Sequence, residues 1–269
     1  MRALLLRLVL LAGTGVALAA ASCEFSGSFN GTESSLSVTN HNNASNGSAS
    51  GVWSGSDSVS GLSVTALINA AGLATFIRSD GVQFVGQVET SGNTLTATVE
   101  GYSNFGTSFS DGSTYGSGTL NGRVMGGSTL TATLTFTTSG NTEMSGSWTL
   151  TFASLSNDSS SVAAISGNYR DTATATVVSI TSGGTMTSQN PANHCVLNGS
   201  IATQDSTHDV YEVSYSYGDC TGAYAVLNGV EFTGLASLNS GATPAELTMA
   251  VTDASSASKY ALVSSLSGT

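Results

Sequence analysis

Histidine and cysteine are the residue types in this chain that could carry catalysis, and there are three of each. His194 precedes Cys195, which pairs a nucleophilic thiol with a base. His208 precedes Asp209, and a histidine beside a carboxylate is one part of a serine-hydrolase triad. The first pair is weakened because Cys195 is expected to form a disulfide with Cys220. The second lacks a nucleophile, since no Gly-x-Ser-x-Gly elbow precedes a helix. We therefore expect no catalytic residues and no enzyme activity.

Metal ligands are also sparse in the sequence. Structural and catalytic metal sites need several ligands close together, and His41 stands alone in a segment rich in Ser and Asn. Asp205, Asp209 and Asp219 lie near turns, where they could hold calcium only weakly. No glycine-rich phosphate loop precedes a helix. The sequence therefore predicts neither a metal site nor a cofactor.

The first 22 residues have the order of a secretory signal peptide. Arg2 and Arg7 precede an apolar run over residues 8–18, and small residues fill positions 19–22. A charged start, a short apolar body and a small-residue cleavage site define such a peptide. The apolar run is too short to span a bilayer, which takes about 20 residues.

Cys23 follows the small residues directly. The run Ala20-Ala21-Ser22-Cys23 resembles the lipobox of bacterial lipoproteins. The resemblance implies that Cys23 is acylated by fatty acids such as palmitate and becomes the mature N-terminus. Glu24, in place of an Asp, implies anchoring in the outer membrane, on its periplasmic or its surface side. The alternative is cleavage after Ala21, which would leave a soluble protein with a free thiol.

The charge of the mature chain limits its partners. The full sequence has 6 basic and 17 acidic residues, and removal of Arg2 and Arg7 leaves a formal net charge of −13. A protein of this charge repels nucleic acids and anionic lipid head groups. The expected partners are the membrane, through the lipid anchor, and a protein or small molecule of unknown identity. We expect no nucleic-acid binding.

The rest of the chain divides by composition into a tether and two β-rich domains. Residues 23–50, rich in Ser, Asn and Gly, form a flexible tether that reaches on the order of 30 Å. From residue 51 apolar and polar residues alternate, as in the run 128–138, where Leu and Phe alternate with Thr. Period two predicts half-buried strands. About eight strands fall in 51–155 and about eight in 162–269, on either side of a polar linker.

Short strands separated by turn signals predict an all-β fold of two tandem antiparallel up-and-down β-barrels, with β-sandwiches as the alternative. The opening Gly51-Val52-Trp53-Ser54-Gly55, followed by an eight-strand meander, resembles small barrels of the avidin and lipocalin kind. The whole chain is similar to Gram-negative lipoproteins that pair two such modules. Ser166-Gly167-Asn168-Tyr169 lies 116 positions after Ser50-Gly51-Val52-Trp53, which suggests an internal duplication.

Cys195 and Cys220 remain as a pair near the two ends of a predicted hairpin. If Thr203 faces Asp209, antiparallel pairing places Cys195 opposite Tyr217, within reach of Cys220. An exported protein folds in an oxidising compartment. The sequence therefore predicts a disulfide, with two buried free thiols as the alternative.

Tyr211, Tyr215 and Tyr217 share one face of this hairpin, which is either barrel interior or a candidate binding face, since tyrosine supplies rigid contact area. An eight-stranded barrel is either filled by side chains or holds one small ligand. The expected function is therefore a non-catalytic cell-envelope lipoprotein with a binding, adhesive or structural role. The alternative is a small-ligand carrier that uses a barrel interior.

Overall fold

The computed structural model describes residues 49–153, 160–171, 174, 176–204, 207–253 and 259–269. In this part of the chain sixteen strands form two closed barrels. The first barrel comprises β1 (Gly51–Asp57), β2 (Ser63–Ile68), β3 (Leu73–Arg78), β4 (Gln83–Ser91), β5 (Thr94–Tyr102), β6 (Tyr115–Met125), β7 (Thr129–Thr138) and β8 (Glu143–Phe152).

A short helix, α1 (Val162–Ile165), precedes the second barrel. That barrel comprises β9 (Gly167–Asp171), β10 (Val177–Ile180), β11 (Thr185–Gln189), β12 (Val196–Thr203), β13 (Val210–Gly218), β14 (Glu231–Asn239), β15 (Glu246–Thr252) and β16 (Ala261–Gly268). Each strand pairs with its sequence neighbours, and β1–β8 and β9–β16 close the two barrels. The predicted all-β fold of two antiparallel up-and-down barrels is confirmed, and the sandwich alternative is wrong.

The alternation of side chains explains why these strands close into barrels. In β7, Leu130, Leu134 and Phe136 are buried, while the threonines between them face outward or are half-buried. β-branched residues favour extended backbone, and the apolar face must leave water. Closure of the sheet buries that face and also removes the unpaired edges that an open sheet would expose.

The two barrels begin in the same way. In the first, the Trp53 indole N–H donates to the carbonyl of Ala49, four residues earlier, at 2.9 Å. In the second, the Tyr169 hydroxyl donates to the carbonyl of Ile165, also four residues earlier, at 3.0 Å. β5 and β13 begin 116 positions apart, as do β1 and β9. This shared arrangement supports the duplication that the sequence suggests.

Strand direction gives each barrel two different ends. The first strands, β1 and β9, begin at one end of their barrels, and the last strands, β8 and β16, finish at that same end. We call it the entry end. Connections there are short, such as 92–93 and 126–128. The opposite end, which we call the loop end, carries the longer connections 103–114 and 219–230, one in each barrel.

The barrels lie side by side, with their loop ends in the same direction. At the entry end, the Asn69 amide donates to the Glu212 carboxylate at 2.8 Å. At the loop end, the Phe105 backbone N–H donates to the Ala261 carbonyl, also at 2.8 Å. Between these contacts, the outward side chains of both barrels form a buried seam: Leu67, Ile77, Val210, Leu235 and Ala250. The alternating sequence pattern does not predict this shared apolar cluster.

One predicted strand is wrong. The sequence pattern predicts a continuous strand over 222–238, but residues Gly222–Leu227 form a 3₁₀ helix, and β14 begins only at Glu231. Leu227 is buried against the core of the second barrel, while its neighbours in the helix are exposed. An apolar run of this length is compatible with either a strand or a short helical turn, so periodicity could not separate the two.

Candidate functional site: the loop end

The three tyrosines that form the candidate binding face lie on the interior face of β13. Tyr211 and Tyr215 are buried in the core of the second barrel, and Tyr217 packs against that core at the loop end, half-buried. The Tyr215 ring lies 5.3 Å from that of Tyr217 and 5.7 Å from that of Phe232. These residues therefore supply packing area to the barrel interior and do not form an outer surface.

Burial controls the ionisation of these phenols. Burial raises the pKa of Tyr215 well above its usual range, and the neighbouring Tyr217 adds to this effect. Burial also raises the pKa of Tyr211, with a second contribution from the Asp209 carboxylate. The phenols remain neutral at physiological pH, which suits packed core residues.

The corresponding strand of the first barrel explains why tyrosines occupy β13. Gly101 of β5 lies 116 positions before Tyr217. A Cβ at Gly101 would meet the ring of Phe136 at 2.4 Å and that of Phe84 at 3.0 Å. In the first barrel, aromatic rings from β4 and β7 fill this space. In the second barrel the fifth strand itself supplies the aromatic volume.

The interior of the first barrel is filled. Trp53, Phe76, Phe84 and Phe136 each have 0% exposed surface, and Trp148 packs its ring 5.1 Å from that of Phe76. A void that admits water would expose the side chains that line it, so their zero exposure leaves no room for a ligand beside these rings. Such close packing is normal for protein interiors.

The interior of the second barrel is filled in the same manner from several strands. Met186, Phe232 and Leu247 have no exposed surface. Ile165 of α1 is fully buried at the entry end, and Leu227 of the 3₁₀ helix packs against the same core at the loop end. A buried apolar side chain therefore closes each end of this barrel.

The histidines that could carry chemistry lie apart. His194 lies in the 190–195 connection at the loop end, and His208 lies in the β12–β13 connection at the entry end. The His208 Nδ1 contacts the Thr207 hydroxyl at 2.9 Å and the Ser50 hydroxyl at 3.4 Å. Asp209 is buried, Asp219 is exposed, and Asp205 lies outside the described residues. Within the described ranges, no three His, Cys, Asp or Glu residues form a cluster that could hold a metal ion.

Cys195 and Cys220 form a disulfide, as predicted, with Cα atoms 4.0 Å apart. The strand register differs from the expected one by two residues, since Leu197, not Cys195, pairs with Tyr217. A shift of two residues keeps each side chain on its face of the sheet, and it brings Cys195 closer to Cys220.

The disulfide and several hydrogen bonds hold the loops of the second barrel together. The Thr221 N–H donates to the Asn193 carbonyl at 2.8 Å, and this contact joins the 219–230 connection to the 190–195 connection. The Asn228 side chain accepts from the Cys220 N–H at 2.7 Å and donates to the Cys220 carbonyl at 3.1 Å. The 3₁₀ helix between them is therefore fixed at both of its ends.

Exposed apolar side chains are concentrated at this end of the molecule. Among the described residues, six large apolar side chains are exposed: Val59, Tyr115, Met125, Val177, Tyr224 and Val226. All but Met125 lie in a loop-end connection or at the loop end of a strand. Scattered apolar residues are ordinary on a protein surface, but a concentrated group indicates an interaction site.

A depression of about 470 Å³ lies on the outside of the second barrel at the same end. Its walls combine apolar Val177 and Pro191 with the polar side chains of Gln189, Asn190 and His194. The Asn190 side-chain oxygen accepts from the Ala192 N–H at 2.8 Å, which fixes the turn that carries His194. Loops held by a rigid scaffold are common binding sites.

Among the described residues, no helix is both long and apolar enough to cross a bilayer. Cys23, the signal peptide and nearly all of the tether lie outside the described residues. The chain matches no protein-family model and no curated protein.

Proposed function

We propose that this protein is a non-catalytic lipoprotein of the bacterial outer membrane that binds a partner with the loop end of its two barrels. The observation that carries the proposal is the contrast between the two kinds of surface. The barrel interiors are filled by buried side chains, whereas exposed apolar side chains gather at the loop end. The exposed apolar side chains of the loop end therefore support a role in binding a partner at the outer surface.

The positions of the polar residues favour a non-catalytic role. His194 and His208 lie at opposite ends of the second barrel, and general acid–base catalysis requires its groups within hydrogen-bond reach of one substrate. Cys195 is bonded to Cys220 and cannot act as a thiolate nucleophile. The His208 Nδ1 contacts the hydroxyl groups of Thr207, its neighbour in the chain, and of Ser50, which precedes β1.

The small-ligand carrier has less support than surface binding. A carrier of the lipocalin or avidin kind needs an enclosed interior with room for one ligand. Here Trp53, Phe84 and Trp148 belong to the core of the first barrel and are fully or almost fully buried. A ligand could enter only if these rings moved apart, and core aromatic contacts of this kind stabilise the fold.

The topology also agrees with attachment through the N-terminal cysteine. The chain that follows Cys23 joins the first barrel at Gly51, which lies at the entry end. A flexible tether joined there would leave the loop end free to meet a partner. Because the mature chain carries a net negative charge, we expect no binding to nucleic acids or to anionic lipid head groups.

We expect the Cys23→Ser substitution to release the protein from the membrane. In a bacterial host the unmodified protein should incorporate a fatty-acid analogue and partition into detergent, because acyl chains add about 0.8 kcal/mol per buried methylene. The variant should lose both properties. Ser28→Ala, which changes a nearby residue and leaves both Cys23 and the disulfide intact, serves as the control. A soluble native protein that begins at Ser22 would contradict the anchor.

Photo-crosslinking tests the binding role. A photoreactive side chain at Val226, which is 54% exposed at the loop end, should yield a discrete crosslinked product in intact cells of the native host. The matched control is Met125, which is 45% exposed at the entry end. Equal products from both positions, or none from Val226, would contradict a loop-end binding role.

A further inference from the structure

We propose that the loop end docks a basic polypeptide segment on an aromatic cluster that the two barrels build together. This inference rests on the proposed function, and it adds the chemical class of the partner. The cluster consists of the contacting rings of Phe105 from the first barrel and Tyr224 and Tyr260 from the second, together with exposed Val226, two residues after Tyr224 on the same 3₁₀ helix. We call these four residues the seam cluster.

The seam cluster depends on both barrels. The Phe105 ring lies 5.6 Å from the Tyr224 ring and 5.4 Å from the Tyr260 ring. The β5–β6 connection is held against the second barrel by the Phe105 N–H, which donates to the Ala261 carbonyl at 2.8 Å, and by the Asn104 side chain, which accepts from the Val263 N–H at 3.3 Å. Neither barrel alone could form this surface, which gives the tandem arrangement a function.

The exposed part of the seam cluster suits recognition. Tyr224 is 40% exposed and Val226 is 54% exposed, whereas Phe105 and Tyr260 are half-buried beneath. Tyrosine is enriched among the residues that dominate binding energy, because it brings a large contact area with few rotatable bonds. The half-buried rings supply the packed support that such anchor residues need.

The seam cluster is also held in place before a partner arrives. Tyr224 and Val226 lie on the 3₁₀ helix, which is anchored at one end by Cys220 and at the other by Asn228 and the buried Leu227. A surface that is already ordered loses little conformational entropy when it binds. The longest connection of the second barrel is therefore held on both sides of the helix that carries the exposed residues.

The charges around the loop end select the partner. Exposed carboxylates at this end come from both barrels: Glu100, Asp111, Glu143, Asp219 and Glu231. Hydrogen bonds from Ser113 and Thr138 hold the pKa of Asp111 below its usual range, so this carboxylate is charged at any physiological pH. The described basic residues of the loop end are Arg78, which pairs with Asp80, and Arg170 and Lys259.

An acidic surface with exposed aromatic rings attracts lysine and arginine side chains in two ways. The carboxylates steer a positively charged partner and raise its association rate. Ring faces such as those of Tyr224 and Phe105 then attract the cation itself. The same carboxylates repel phosphate groups, which excludes nucleic acids and anionic membranes from this surface.

A fluorescence anisotropy titration with a labelled peptide of alternating lysine and phenylalanine tests the inference on the full mature protein in detergent. Two control peptides carry glutamate in place of lysine, or serine in place of phenylalanine. The Lys/Phe peptide should bind most tightly, and added salt should lower its affinity. The double variant Tyr224→Ser/Val226→Ser should lose about tenfold in affinity or more.

Matched variants separate the seam cluster from the rest of the surface. Met125→Ser removes an exposed apolar side chain at the entry end and should leave the affinity unchanged. The pair Asp219→Asn/Glu231→Gln should weaken binding more than Glu89→Gln/Glu246→Gln, which removes exposed carboxylates at the entry end. All of these side chains are exposed, so the melting temperature should not change and serves as the folding control.

Two results would overturn the inference. One is equal loss of affinity with Met125→Ser and with the Tyr224/Val226 variant. The other is binding of a neutral oligosaccharide, or of the Glu/Phe peptide, in preference to the Lys/Phe peptide. If either occurs while Val226 still forms a crosslink in cells, the basic partner is wrong and the binding role of the loop end stands.

Discussion

Trp53→Ala should lower the free energy of unfolding by about 3–5 kcal/mol, the usual cost of emptying a buried aromatic site. Trp53 is fully buried, its ring packs edge-on against Phe152 at 5.0 Å, and its indole N–H donates to the Ala49 carbonyl. The substitution leaves a cavity and also removes the donor to a buried carbonyl. Trp148 remains in the variant, so its fluorescence reports urea unfolding of the first barrel.

Two controls make this result specific. Tyr115→Ala truncates an aromatic residue that is 40% exposed and should cost less than about 0.5 kcal/mol. Trp53→Phe keeps most of the ring volume and loses the hydrogen bond, so its cost should fall between the two. If Trp53→Ala unfolds at the same urea concentration as the unmodified protein, the first barrel is not filled in the way described.

Loss of the disulfide should have the second large effect. Cys195 and Cys220 are 25 residues apart, and a cross-link of that span contributes about 3.5 kcal/mol in the chain-entropy model. The double substitution Cys195→Ser/Cys220→Ser should therefore lower the melting temperature of the second barrel. Circular dichroism should follow this transition. Tryptophan fluorescence does not report on it, because both tryptophans of the chain, Trp53 and Trp148, lie in the first barrel.

Reduction of the native protein provides the matching experiment. A reducing agent should shift the unmodified protein toward the double variant and should leave the double variant itself unchanged. Reduction should also weaken binding of the Lys/Phe peptide, because the disulfide at Cys220 holds the 3₁₀ helix that carries Tyr224. Equal melting temperatures with and without reduction would show that the disulfide does not stabilise this barrel.

Local patterns were sufficient to predict most of the fold. The alternation of apolar and polar residues predicted nearly all of the sixteen strands, because most strands of a closed barrel have one buried and one solvated face. The pairing of Cys195 with Cys220 followed from cysteine parity and the hairpin between them. The two-residue error in that hairpin arose at the turn, where register depends on turn geometry and not on hydrophobicity.

The alternation of apolar and polar residues could not predict the seam between the barrels. Two strands, however, contain consecutive buried residues that are a sign of it. In β2, Ala66, Leu67 and Ile68 are all buried, and in β15 residues 249–252 are all buried. A consecutive apolar run marks a strand that is covered on both faces. The run alone does not say which element covers it, and the answer here is the outer face of the other barrel.

The concentration of exposed apolar residues at the loop end also could not be predicted from the sequence. Val59, Val177 and Val226 are far apart in the chain, and each is unremarkable alone. Strand direction in the closed barrels brings their connections to one end, and the seam aligns the two barrels. Tyr224 and Val226 fall within a run that resembles a strand, so their exposure depends on the 3₁₀ helix that interrupts it.

Both barrels are filled by their own side chains, and the proposal that function lies on the outer surface depends on this. Xenon enters dry apolar cavities and therefore tests this claim directly. In crystals of the native protein under xenon pressure, we expect no xenon inside either barrel. Crystals of Trp53→Ala should bind xenon beside Phe152. Xenon or a co-purified ligand between Trp53 and Trp148 of the native protein would show that the first barrel is not filled and would contradict the proposed outer-surface function.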